Sequence, residues 1–266
     1  MKYDVLERFK EHLKSTSNKN TARKYYSAIV KLFKDKQFND VSQIKKSVLE
    51  TELPLKFKTK NEFSAAKNGL LRLKEVYPDI ELPEELFFRE HSRKKRNYSK
   101  KPKKTIELDK TMRKINQISN KKLKLAYRLA IISGLRVSEL EGLEKADLKF
   151  KDGIITVNVK HGKGGSNGLV ICKKDDYVYK ELENFIENLE ENEKVFYSEE
   201  YMREKAKNLD LECHDFRRIF AITLRNELKK TMPVQEANAI VQKQLRHKRF
   251  STTKRYLFNK KLVVRS

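Results

Sequence analysis

Near its C-terminus the chain reads Leu245-Arg246-His247-Lys248-Arg249-Phe250-Ser251-Thr252-Thr253-Lys254-Arg255-Tyr256, with a histidine and a tyrosine nine positions apart in a strongly basic stretch. Upstream stand His214-Asp215-Phe216-Arg217 and, further back, Ser133-Gly134-Leu135-Arg136-Val137-Ser138-Glu139-Leu140. A tyrosine among arginines and histidines can carry out phosphoryl transfer on DNA without a metal. The phenol oxygen attacks phosphorus, and the cations hold the charge on the phosphate oxygens. Free tyrosine ionises near pH 10, so the nearby cations have to favour the phenolate.

Each of these residues also has an ordinary use. Arg136 can grip two phosphate oxygens with a bidentate fork that lysine cannot copy, or form a surface ion pair with Glu139 or Glu141. Glu139 itself reads as a group that orients a cation rather than touching substrate. His214 and Arg217 lie three apart at the start of an amphipathic helix, which aims both at one spot. Histidine titrates near neutrality and suits proton transfer; its bland role is a helix cap. Lys163 sits between Gly162 and Gly164-Gly165, where flexible backbone lets a cation approach DNA closely; it also reads as a plain turn lysine. For Tyr256 the common fate is aromatic packing, the role assigned to Tyr3, Tyr25, Tyr77, Tyr127, Tyr177 and Tyr201.

Several elements must position these groups. Residues 1–90 read as an all-α domain of four short amphipathic helices: one through Val5, Leu6, Phe9 and Leu13, and one through Tyr25, Tyr26, Ile29, Val30 and Phe33 after a cap at Asn20 or Thr21. The third closes at Pro54, and the fourth runs from Thr59 to Tyr77-Pro78. Residues 91–104 carry eight Lys/Arg and no acid, and such a run self-repels into an extended linker. It is either a solvated tether or a strap along the DNA backbone through Arg93, Lys94, Lys95, Arg96, Lys100, Lys101, Lys103 and Lys104. Residues 105–266 read as mixed: helices over 106–118 and 123–133, a hairpin of 153–159 with 169–172, then helices over 175–192, 199–208, 214–230 and 233–245. The fold class expected is α+β and mostly helical.

Composition narrows the partners. In 266 residues, 61 Lys/Arg face 37 Asp/Glu, giving a net charge of +24. Such an excess draws the protein to a polyanion, nucleic acid ahead of anionic membrane. Two cysteines, with no CxxC pair, exclude a disulfide scaffold and a zinc finger and fit a reducing compartment. No apolar signal core or membrane-length segment is present, so a cytoplasmic, nucleoid-associated protein is expected.

Taken together, Gly134-Leu135-Arg136-Val137-Ser138-Glu139-Leu140, Gly162-Lys163-Gly164, His214-Asp215-Phe216-Arg217, and His247 with Tyr256 resemble the catalytic domain of the tyrosine recombinases, the phage integrase family. The resemblance covers about residues 105–260. Residues 1–90 resemble the family's core-binding domain only in size and helix count. It implies a two-domain DNA clamp in which Tyr256 forms a 3′-phosphotyrosyl bond. Arg136 and Arg217 would clamp the phosphate, with His247 hydrogen-bonded to it, while Lys163 acts as general acid and His214 as general base. It implies no cofactor, double-stranded DNA as partner, and a homotetramer on two sites. Two rivals stand beside it: a type IB topoisomerase, and a non-catalytic DNA-binding protein. Where the family usually has glycine before the histidine, this chain has Arg246, which either distorts His247 or adds a phosphate contact. Only ten residues follow Tyr256, which speaks against a tail packed on a neighbouring subunit.

Overall fold

The computed structural model describes residues 3–34, 41–94, 105–160 and 167–264. The chain divides into two compact units, residues 1–101 and 102–266. In the first, α1 (Tyr3–Thr16), α2 (Lys19–Phe33), α3 (Lys46–Lys56), α4 (Lys60–Val76) and α5 (Glu85–Lys94) enclose Phe9, Leu13, Ile29, Leu32, Leu49, Leu53, Phe63 and Leu70. The cap of α2 is Asn18, whose side chain accepts from the Thr21 N–H, so the cap falls two or three residues before the expected Asn20 or Thr21. Thr59 and Glu62 form a capping box that starts α4 where expected.

Two expectations for this unit need correction. Pro54 does not close α3 but lies inside it. It removes only one late hydrogen bond, and buried Leu53 and Phe57 hold the last turn in place. A fifth helix, α5, runs through residues 91–94, so Arg93 and Lys94 belong to a helix rather than to an extended linker. Phe88 of α5, packed into the core, stabilises it. Lys95, Arg96, Lys100, Lys101, Lys103 and Lys104 lie outside the described residues.

The second unit opens with β1 (Thr105–Glu107), α6 (Leu108–Asn116), α7 (Lys121–Ser133) and α8 (Val137–Glu141). Next come β2 (Leu148–Lys151), β3 (Ile154–Val159) and β4 (Gly168–Ile171), which pair antiparallel in that order. The expected hairpin is therefore two-thirds of a three-stranded sheet, with Leu148 opposite Val157 and Val157 opposite Val170. The chain then forms α9 (Asp176–Ile186), α10 (Glu199–Asn208), α11 (Cys213–Leu228), α12 (Val234–Gln244), α13 (Phe250–Phe258) and β5 (Lys261–Val263). The acidic stretch after Ile186 leaves the helix six residues earlier than its apolar spacing suggests. The short strand β5 pairs parallel with β1, Ile106 facing Leu262, so the expected helix over 106–118 begins only at Leu108.

At the centre of this unit α7 is buried along most of its length and packs against α11. A smaller cluster of Phe220, Ala221, Val241, Leu245 and Leu257 joins α11, α12 and α13. Both cysteines are buried, and desolvation pushes their thiols up, to about 12 for Cys172 and about 11 for Cys213. Among the described residues no helix is long and apolar enough to cross a membrane.

Gly134 ends α7 in the left-handed region, at φ 68°, and a Cβ there would run into the Phe220 ring. Gly134→Ala therefore combines a left-handed penalty with overpacking and should cost about 2 to 4 kcal/mol. Chemical denaturation measures this directly, and a loss below about 0.5 kcal/mol would contradict the packing described.

Candidate active site

The site forms where four chain corners meet. At the first, Gly134 turns the chain out of α7, and Arg136 follows in extended conformation as the residue before α8. Glu139, one turn into α8, reaches back: its Oε2 accepts from the Arg136 backbone N–H at 2.8 Å and its Oε1 from Arg136 Nη1 at 2.5 Å. The ion pair between Arg136 and Glu139 thus exists, but it is no surface pair, because the Glu139 side chain is 0% exposed. Burial alone would raise the Glu139 pKa, but Arg246, Arg217 and both the backbone and the guanidinium of Arg136 outweigh it and hold the carboxylate ionised.

The second corner is the start of α11. Arg217 faces inward and is 1% exposed. It donates to the carbonyl oxygens of Gly134 and Leu245, and its Nη2 also lies 3.2 Å from His247 Nε2. Its Nη1 is 3.8 Å from Glu139 Oε2. Burial and Arg136 push its pKa down, to about 9, against the upward pull of Glu139 and Tyr256, so it remains cationic at neutral pH. Both Nη groups bond to protein, while the buried Nε makes no hydrogen bond among the described residues, so in this arrangement Arg217 is held mainly by its Nη contacts and brings its positive charge close to the site.

The third corner follows α12. The Arg246 N–H donates to Lys243 O and the His247 N–H to Gln242 O, the two bonds of a Schellman turn, with Arg246 at the left-handed position, φ 52°. This turn is where glycine is favoured, and it delivers His247 into the site. Arg246 neither disrupts the turn nor reaches outward. Its Nη2 binds Glu139 Oε2 at 2.6 Å, with a side chain only 7% exposed. His247 is buried, and desolvation together with Arg217, Arg136 and Arg246 pushes its pKa down to about 3, Glu139 opposing. The imidazole is neutral, accepts from Arg217 at Nε2, and therefore carries its proton on Nδ1, which lies 3.0 Å from Thr253 Oγ1.

The fourth corner leads into α13, which carries Tyr256. Its half-buried ring lies 5.3 Å from the His247 ring, and the guanidinium carbons of Arg217 and Arg218 each stand 5.7 Å from its centroid. Arg218 is held by Asp215 at 2.5 Å, and Asp215 also binds Lys260 at 2.8 Å. Among the described residues the Tyr256 hydroxyl makes no side-chain hydrogen bond.

The structure therefore brings together Arg136, Arg217, His247 and Tyr256. His214 sits one turn before Arg217 on α11 with much of its surface exposed, and no hydrogen bond among the described residues ties it to Tyr256. Partial burial and the charges of Arg203, Arg218 and Arg217 hold its imidazole below the usual range, against Asp215, which keeps it free to accept a proton. Lys163 lies outside the described residues. Sequence reasoning missed the parts played by Thr253, Arg218 and Lys260. For Thr253 the signal was present, a hydroxyl six residues after His247, but Ser251 and Thr252 carry the same signal.

The phage integrase family model matches residues 106–262, more than half of the chain, and the protein belongs to this family. Among solved structures, a lambda integrase tetramer bound to a Holliday junction is similar at 15% identity and a TM-score of 0.65, over 97% of this chain and 77% of that one. The XerH site-specific recombinase in a post-cleavage complex with a palindromic difH substrate shares 17% identity and a TM-score of 0.61, over 89% and 74%. The Tn1549 transposon integrase in complex with transposon right end DNA shares 16% identity and a TM-score of 0.59, over 95% and 94%. At such identities the likeness speaks for the fold. Comparison with curated protein sequences gives no match.

The depressed pKa of His247 has a sign that can be tested. An unfolded histidine takes up its proton near pH 6.5, and the folded one only at about 3. Its contribution to stability is full above pH 6.5 and is lost as pH falls through that window. The His247 ring signals, followed by NMR, should stay those of a neutral imidazole from pH 8 to about pH 5. A midpoint above pH 6 would refute the buried, Arg217-bonded arrangement.

Proposed function

We propose that the protein is a site-specific tyrosine recombinase, an integrase that cuts and rejoins DNA through a 3′-phosphotyrosyl intermediate. The observation that carries this reading is Tyr256 on the edge of the arginine cluster, its ring tilted against that of His247 and flanked by Arg217 and Arg218. The Tyr256 oxygen attacks the scissile phosphorus, and the bond to the 5′ oxygen breaks. The phenol proton passes to His214, and the departing oxygen takes one from Lys163, both roles resting on the family resemblance. A second strand's 5′-hydroxyl then attacks the phosphotyrosine and releases Tyr256. One phosphodiester is exchanged for another, so the chemistry balances without ATP.

Stabilisation of the transition state falls to the arginine cluster. Arg136, Arg217 and Arg246 surround one carboxylate, Glu139, so three positive charges against one negative leave an excess of two where a phosphate would dock. His247 donates to a phosphate oxygen only if its proton moves to Nε2 and the Arg217 bond there is given up. The Thr253 hydroxyl permits this, because it can donate to Nδ1 as readily as accept from it. The solved lambda integrase tetramer on a Holliday junction supports double-stranded DNA as partner and a homotetramer joining two sites. We place this activity in the cytoplasm, at the nucleoid.

A duplex selected by binding from a random-sequence pool, nicked beside the candidate phosphates and incubated in EDTA, should yield an SDS-resistant protein–DNA adduct. Tyr256→Phe should abolish it, about 1000-fold or more. Lack of adduct with the intact protein, or its survival in the variant, sinks the mechanism. Relaxation of any supercoiled plasmid by the monomer would favour the topoisomerase instead.

The basic stretch after α5 is proposed to follow the DNA backbone. Replacing Lys100, Lys101, Lys103 and Lys104 by alanine should reduce the slope of log affinity against log salt by about one unit for each phosphate left unneutralised. An unchanged slope would make the stretch a tether only.

A further inference from the structure

Arg246 breaks a local rule. It occupies the left-handed corner of the Schellman turn, at φ 52°, where glycine is comfortable and a side chain costs about 1 kcal/mol or more. A residue held in that way persists where its surroundings over-determine it, and here they do. The guanidinium binds buried Glu139 at 2.6 Å. The stem runs past β4, with Cδ 4.0 Å from the place a Cβ on Gly168 would take.

The consequence falls on Glu139. Its Oε2 already accepts from the Arg136 N–H at 2.8 Å, and Arg246 takes up the remaining capacity, leaving Arg217 at 3.8 Å. Arg217 is thereby left to bind the carbonyl oxygens of Gly134 and Leu245 and to reach His247. Arg246 also cancels the carboxylate's charge, so that Arg136 and Arg217 keep theirs for substrate.

We propose that Arg246 is a positioning residue of the phosphate site, acting through Glu139 rather than by touching DNA. This rests on the recombinase reading of the site and adds to it a residue that stands where the family usually has glycine. With a glycine in its place, Glu139 would draw Arg217 inward and one unit of positive charge would leave the cluster. The expected loss is in the cleavage step and not in the binding of DNA.

The test uses the full chain and the nicked, pool-selected duplex, with single-turnover adduct formation at saturating protein. Arg246→Gly should slow cleavage about tenfold or more while changing DNA affinity by less than about threefold. Arg246→Lys, which keeps the charge but not the fork, should recover part of the rate. In a Glu139→Gln background the same glycine substitution should cost less than about threefold, the coupling expected of residues that act through one another. Thermal melting of each variant separates this from unfolding, since a collapsed turn would lower Tm and slow cleavage equally in both backgrounds. Equal cleavage by Arg246→Gly and the unaltered protein, or full additivity with Glu139→Gln, overturns the proposal. So does a salt slope reduced by about one unit in Arg246→Gly, which would mark a direct phosphate contact. Absence of any adduct from the unaltered protein would instead refute the recombinase reading itself.

Discussion

One buried carboxylate organises the catalytic unit. Glu139, with a side chain 0% exposed, would be untenable as an isolated charge in the interior. It is tenable because Arg136, Arg217 and Arg246 surround it and a backbone N–H supplies a further bond. The dependence is mutual, since three guanidiniums within reach of one another would repel without an anion between them. Its removal would strand three cations, each from a different corner of the chain. Glu139 therefore does more than orient Arg136, because it fixes the distance between the α7–α8 turn and the α12–α13 turn.

Arg217 provides the second joint by a different route. The carbonyls it binds, Gly134 O and Leu245 O, sit at the C-terminal ends of α7 and α12. Such ends carry unsatisfied carbonyls and the negative pole of the helix dipole. A single buried arginine thus caps two helices at once, which offsets the desolvation that lowers its pKa. Two left-handed residues, Gly134 and Arg246, stand at the same two corners. Turn geometry and charge compensation are consequently one arrangement: each sharp turn exposes a carbonyl, and Arg217 gathers both.

Much of this was legible in sequence, for identifiable reasons. Gly134, the apolar spacing of α7 and α11, and the nine-residue step from His247 to Tyr256 are local patterns, and local patterns survive without knowledge of the fold. The alternation of β3 and the start of α4 at Thr59 belong to the same class. What escaped reading depends on partners distant in sequence. The pairing of β1 with β5 involves three residues on each side, too few to outweigh the helical look of Ile106 onward. Helix α5 is strongly charged and gains its stability from Phe88 in a core built by earlier helices. Arg246 was legible as a departure from glycine but not as the partner of Glu139, 107 residues earlier. Pro54 was misread because a proline late in a helix sacrifices one hydrogen bond where packing can still carry the turn.

The helix that carries Tyr256 gains its precision from being held at both ends. At its start, buried Thr253 bonds His247 and so ties the first turn of α13 to the cluster. At its end, Lys260 bridges Glu212 and Asp215 at the head of α11, and β5 then zips onto β1. Asp215 in turn holds Arg218 over the Tyr256 ring. A helix of nine residues pinned on both sides cannot slide or rotate without breaking one of these ties. The phenol is thereby kept beside His247 and two guanidiniums, and among the described residues its hydroxyl makes no side-chain hydrogen bond. A ring fixed in this way in a positive field is what the proposed attack on phosphorus requires and what a merely packed tyrosine would not.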